Sequence, residues 1–186
     1  AKLRVRLWGP FRWTVHREVR RSVHGPVIET PQGIFAVRYA GMNELRMPLQ
    51  YYRLNRARNL EEWRAALGLQ ALPSINYLYA DAEGNIAYFH GNFMPRRDTQ
   101  FDYLQPVDGS NPATDWQDVH PVDETITLLN PPNGWIQNTN STPFTAAGEF
   151  SPRAEDYPAY MAPDAQNFRA LHAMPLLEEA SAHTRC

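Results

Sequence analysis

The sequence has 186 residues, of which 43% are hydrophobic, a formal net charge of -2 and one cysteine, Cys186, at its last position. That length suits one domain or a large piece of one, and a near-neutral chain has no general attraction to nucleic acid or to a membrane surface. A lone cysteine excludes a disulfide framework and a Cys-x-x-Cys metal site, and no apolar run approaches the ~20 residues that span a bilayer.

The first segment is basic: residues 1–24 carry Lys2, Arg4, Arg6, Arg12, Arg17, Arg20 and Arg21 against Glu18 alone. Such an arm is able to contact phosphate, but the alternation in RWTVHREVRR reads better as the wet face of a half-buried strand over 12–22. VHGPVIET continues it past a bend at Gly25-Pro26, TPQG makes a turn, and IFAVRYAG returns as the second strand of a hairpin. Two helices follow. PLQYYRLNRA would face the core with Leu49, Tyr52 and Leu54. NLEEWRAALGL is capped by Asn59 with Glu62 three residues on, is stopped by Gly68, and turns Trp63, Ala66 and Leu67 inward.

SINYLYADAEGNIAYFHGN is the clearest hairpin, with two strand-forming runs around a DAEG turn whose Gly84 accepts a positive φ. From 93 to 133 the chain is loop-rich and punctuated by proline, too long for an idle connector, so it is expected to pack over something or to line a site. A strand over GWIQN, an irregular run to about residue 163 and a helix over DAQNFRALHAMPLLEEA complete an α+β chain, read as a single partial domain over 1–186.

GWIQNTNSTPF poses the functional question. Asparagine is a poor strand former, so Asn138 and Asn140 either shape a turn or aim an amide at something. His16, His24, His90, His120, His172 and His183 include no HxH or HxxxH pair of the kind that puts two ligands on one face, which argues against a histidine metal site. No nucleophile elbow, phosphate-binding loop or dinucleotide fingerprint occurs. Spacing alone therefore gives an α+β chain with a candidate site near Asn138–Asn140.

Three blocks in order, RSVHGPVI, SINYLYADAEGNIAYFHGNFMPRR and GWIQNTNSTPF, resemble the β-subunit of the penicillin acylase family of N-terminal nucleophile hydrolases. The resemblance covers residues 12–145 and weakens toward the last helix. It implies the αββα sandwich fold and hydrolysis of a linear amide, such as the acyl side chain of a β-lactam, an acyl-homoserine lactone or a lipopeptide. It also implies a self-cleaving precursor (a zymogen), a role in antibiotic metabolism for some members, and a periplasmic or secreted location. The nucleophile is an N-terminal serine whose own α-amine, with a pKa near ~8, takes its proton. Nothing in the first residues matches that segment, so this chain is expected to be an internal piece of the β-subunit, inactive alone, with the rest of the β-subunit, the α-subunit and a small-molecule amide as its partners.

Residue by residue, the resemblance implies that Asn140 is the oxyanion-hole side chain and that Arg169 supports the catalytic centre. It implies that Asn138 ends the strand and that His24 and Asn76 are scaffold. Relatives often bind calcium through aspartates. Around Phe101–Tyr103 and after Pro143 this sequence departs from that pattern, leaving Asp102 as a remnant, and no cofactor is expected. The competing reading is a non-catalytic module that binds a ligand or partner through residues 93–133 and the basic face of 2–21.

Overall fold

The computed structural model describes residues 1–184; the lone cysteine, Cys186, lies outside the described residues. Two compact units follow one another, Ala1–Tyr39 and the chain from Ala40 onward.

In the first unit β1 (Lys2–Arg6) pairs antiparallel with β2 (Arg12–His16), Leu3 opposite Val15 and Val5 opposite Trp13. The basic segment is thus a strand in its own right, which the alternation around Trp13 did not reveal. β2 ends at His16, opposite Lys2, rather than running to residue 22. Beyond it only an isolated bridge joins Arg21 to Pro26, because proline offers no N–H to carry the ladder on. Arg20 pairs with Glu18 and Glu29. β3 (Val27–Thr30) and β4 (Gly33–Ala36) form the expected hairpin, closed by Thr30 opposite Gly33. Gly33 has φ +146°, which L-residues rarely adopt.

The second unit holds the cores. α1 (Met47–Arg56) keeps part of the expected inward face: Leu54 packs against the core, but Leu49 and Tyr52 are 40% and 59% exposed, and the side chain it buries completely is Gln50. A buried amide is tolerated when both ends are bonded. Gln50 Nε2 donates to Asn92 Oδ1 at 3.1 Å, and its Oε1 accepts from the N–H of Ala71. Asn92 in turn donates to the carbonyl of Leu67, so one amide pair ties α1 to the end of the next helix.

α2 (Leu60–Leu67) starts as its sequence predicts. Asn59 Oδ1 accepts from the Glu62 N–H at 2.8 Å, while the Glu62 carboxylate reaches back to the N–H of Arg58. Its inward face packs on a three-stranded antiparallel sheet, β5 (Tyr77–Ala80), β6 (Ile86–Phe89) and β7 (Thr127–Leu129), in the order β5-β6-β7. Trp63 meets Tyr77 edge-on at 5.7 Å and Phe89 at 5.4 Å, with Leu67 and Ala87 closing the cluster. Asp81 builds the β5–β6 turn, accepting from the backbone of Glu83 and Asn85 and from the Tyr79 hydroxyl, and Gly84 takes φ +87°. A second cluster joins Ile126, Met161 and Ala162 to Met94, Phe144 and Tyr160.

Two expected elements change. Residues 134–138 form no strand among the described residues. The Gln137 N–H donates to the carbonyl of Ala146 and its side chain to that of Thr145, so the segment binds the tight turn that follows it instead of a neighbouring ladder. The last helix, α3 (Phe168–Thr184), starts later than residue 164, because Asn167 caps it by accepting from the Ala170 N–H at 3.1 Å. Pro175 lies inside it.

Candidate active site

Three stretches of the second unit converge on Asn140: the end of the β5–β6 sheet, the 134–145 segment and the start of α3. Asn138 is the hub of the loop. Its Oδ1 accepts from the backbone N–H of Asn140 at 3.1 Å and from Asn76 Nδ2 at 3.5 Å. Asn76 Oδ1 accepts from the N–H of Gly91, just beyond β6. The chain of amides Gly91–Asn76–Asn138–Asn140 therefore fixes the loop to the sheet. Asn140 itself has φ +56°, a left-handed conformation that asparagine tolerates better than most residues.

From the other side, Asn167 Nδ2 donates to the carbonyl of Thr139 at 3.0 Å, while its Oδ1 caps α3. Two residues on, Arg169 Nη2 donates to Asn140 Oδ1 at 3.1 Å. A guanidinium only donates, so the Asn140 atom facing it is the oxygen, and the amide orientation follows from chemistry alone. Asn140 Nδ2 then points away from Arg169, and among the described residues no acceptor takes its hydrogens.

Asn140 lines a cleft of about 350 Å³ together with Ser74, Asn76, His90, Phe93 and Asp164. Among the described residues five non-glycine residues have positive φ, and three of them, Ser74, Phe93 and Asn140, line this one cleft. Strained backbone held in place by its surroundings gathers where geometry serves function.

His90 is buried in the cleft wall, its Nδ1 2.9 Å from the hydroxyl of the fully buried Tyr88. Burial pushes the His90 pKa down, against the opposing pull of the Asp164 carboxylate and of a hydrogen bond to the Met161 backbone. Burial also pushes the Tyr88 phenol up, and Asp164 adds to it. A neutral imidazole in this place accepts from the Tyr88 hydroxyl at Nδ1.

Of the residues singled out in the sequence, Asn140, Arg169, Asn138 and Asn76 meet at one place. His24 belongs to the first unit, in the turn before β3, where its N–H donates to Ser22 Oγ. His90, Ser74, Phe93 and Asp164 had no sequence signal. In the sequence His90 bears only on a metal site, and left-handed backbone at serine or phenylalanine leaves no mark in composition. The Asp102 carboxylate accepts from the N–H of Leu104 at 2.9 Å, and among the described residues no three His, Cys, Asp or Glu side chains gather at one place.

Comparison with known proteins bears on this arrangement. The chain is 33% identical to the penicillin G acylase of Escherichia coli over 146 residues, covering 76% of this chain and 16% of that protein. It is 29% identical over 121 residues to the acyl-homoserine lactone acylase PvdQ of Pseudomonas putida, covering 55% of this chain and 16% of that protein. The chain thus spans 16% of the length of the curated relatives it matches. In structure it resembles a thermostable penicillin G acylase from Alcaligenes faecalis, with a TM-score of 0.63 over 96% of this chain and 34% of that one at 22% identity, which places it in the same mixed helix and antiparallel-sheet fold. The family model described as penicillin amidase matches residues 3–185, and the chain belongs to that family.

Proposed function

We propose that this chain carries the oxyanion-stabilising part of an acylase that hydrolyses a linear amide bond. The observation that supports the reading is the hydrogen bond from Arg169 to Asn140 Oδ1 at 3.1 Å, which occupies the amide oxygen and leaves the Nδ2 hydrogens of this cleft-lining residue for another acceptor. A neutral amide there donates to a carbonyl oxygen as that oxygen takes on negative charge, without a counter-ion and without a titration of its own. Arg169 and Asn138 are positioning residues: one fixes the amide's rotation, the other its backbone.

The nucleophile in this reading is an N-terminal serine outside the chain, activated by its own α-amine. Its oxygen attacks the amide carbon, the amine half leaves with a proton, and water then splits the serine ester to release the acid. The 186 residues alone are expected to be inactive, contributing part of one catalytic domain to the rest of a self-processed acylase. The substrates named in its relatives, a penicillin and an acyl-homoserine lactone, mark the class we propose for the assembled enzyme: small molecules that carry an acyl group in amide linkage.

In the assembled acylase, Asn140→Ala is expected to lower kcat at least ~100-fold with little change in melting temperature, as the loss of one oxyanion donor does. Turnover within a few-fold of the parent enzyme removes Asn140 from the mechanism.

A further inference from the structure

Arg97 stands out among the cations of the second unit. Its guanidinium lies 4.7 Å from the ring of Trp116, 5.5 Å from Tyr103 and 5.7 Å from Tyr160. Faces of aromatic rings hold a cation but give it no hydrogen-bond acceptor. The two tyrosine hydroxyls are engaged elsewhere, Tyr103 with the Thr114 carbonyl and Tyr160 with His120 Nε2 at 2.8 Å. Arg97 Nε is buried with no acceptor, and among the described residues no carboxylate pairs with the side chain. Burial works against its charge, with the tyrosines only partly offsetting it. A half-buried cation without a counter-ion is costly, and an incoming anion removes that cost.

Beside Arg97 lies a cavity of about 360 Å³ with walls from Phe101, Leu104, Ala159 and Pro163. Asp102 also borders it, with its carboxylate held by the Leu104 N–H, so an anionic ligand has one favourable end, at Arg97. Arg97, Tyr160 and Pro163 border both this cavity and the Asn140 cleft.

We propose that Arg97 and this cavity form a binding site for a small carboxylate, with the carboxylate paired to the guanidinium and its apolar tail among Phe101, Leu104 and Ala159. The fork of the guanidinium matches a carboxylate's two oxygens, and the cavity volume suits a short aliphatic or single-ring tail. Amide hydrolysis liberates such an acid. Product inhibition through this site is a consequence that rests on the acylase reading, while binding itself does not.

Calorimetric titration of the full 186-residue chain tests the site, with hexanoate and 3-phenylpropionate set against hexanamide and 3-phenylpropionamide. The acids are expected to bind at least ~10-fold more tightly than their amides, as one charge-assisted pair provides. Arg97→Gln is expected to abolish that preference, and Ala159→Phe to weaken acid binding by filling the tail's space. Asn140→Ala is expected to leave acid affinity unchanged, which separates this site from the oxyanion reading. A shift of the Arg97 Nε–H resonance with acid but not amide gives a readout that needs no variant. Equal affinity for acid and amide, no acid binding, or a preference that survives Arg97→Gln overturns the proposal.

Discussion

The β5–β6 hairpin and the 134–145 segment hold their backbones in opposite ways. In the hairpin, Tyr77 to Ala80 pair rung by rung with Phe89 to Ile86, and the turn is closed by the carboxylate of Asp81 within it. In the segment, the bonds run to side chains and turns brought from elsewhere: Asn76 from the sheet, Asn167 and Arg169 from the start of α3. A ladder spreads its support over many equivalent bonds. The asparagine loop concentrates its support on a few amides, each of which aims one group. Substitutions in the first region should therefore act on stability, and those in the second on the direction of Asn140 Nδ2.

The sharpest break in that contrast is at Trp63, which packs the helices on the hairpin. Trp63→Ala is expected to cost about 3–5 kcal/mol in urea denaturation of the chain. A melting curve within error of the parent would mean that the aromatic cluster is not what fixes the sheet. Next in size, Arg169→Met in the assembled acylase is expected to lower kcat about tenfold, the worth of one lost hydrogen bond to the Asn140 amide, with KM little changed. Arg169→Lys should restore part of it by donating to the same Oδ1. Equal losses in the Met and Lys variants would point to packing rather than to orientation.

Smaller effects separate the two regions further. Asn59→Ala removes the α2 cap and is expected to cost about 1 kcal/mol of stability with no effect on kcat. His90 offers a pH test. Its pKa is lowered in the folded chain from the ordinary 6.5, so the unfolded state takes up the proton first as pH falls. The neutral imidazole's contribution is thus fully present above the unfolded pKa and is lost as pH falls toward the folded one. Between pH 7.5 and 5.5 the parent chain should lose more stability than His90→Gln, as followed by denaturant midpoints at each pH. Parallel losses in the two proteins would show that His90 does not titrate in that window.

How much of this was legible follows from the same contrast. The hairpin's strands, its Gly84 turn and the Asn59 cap are local, and periodicity with turn chemistry located them. β7 is three residues inside a proline-rich run; β1 carries the same two-residue alternation as β2, Leu3 and Val5 between Lys2, Arg4 and Arg6, but both its faces are exposed and its charge draws the eye to a basic arm. Gln50 defeated the helical pattern, since a polar residue is buried only when distant partners are waiting, and neither Asn92 nor Ala71 is near it in sequence. The supposed strand at 134–138 failed for the converse reason: Trp135 and Ile136 are strand formers, but the Gln137 N–H is taken by Ala146. Asn140 is singled out by the resemblance to a family. Its orientation was not legible, because that depends on an arginine 29 residues away. Arg97 carried no signal at all, since a cation's missing counter-ion is visible only in three dimensions.

The most direct test of the amide's role compares ground-state and tetrahedral ligands in the assembled acylase. For Asn140→Ala and Arg169→Met, inhibition by a phosphonate mimic of the tetrahedral intermediate should weaken by the same factor as kcat/KM, while a non-hydrolysable ground-state ligand keeps its affinity. Ground-state and tetrahedral ligands weakened alike would make Asn140 a residue that holds substrate, and the claim that its Nδ2 answers the charge of the transition state would fall.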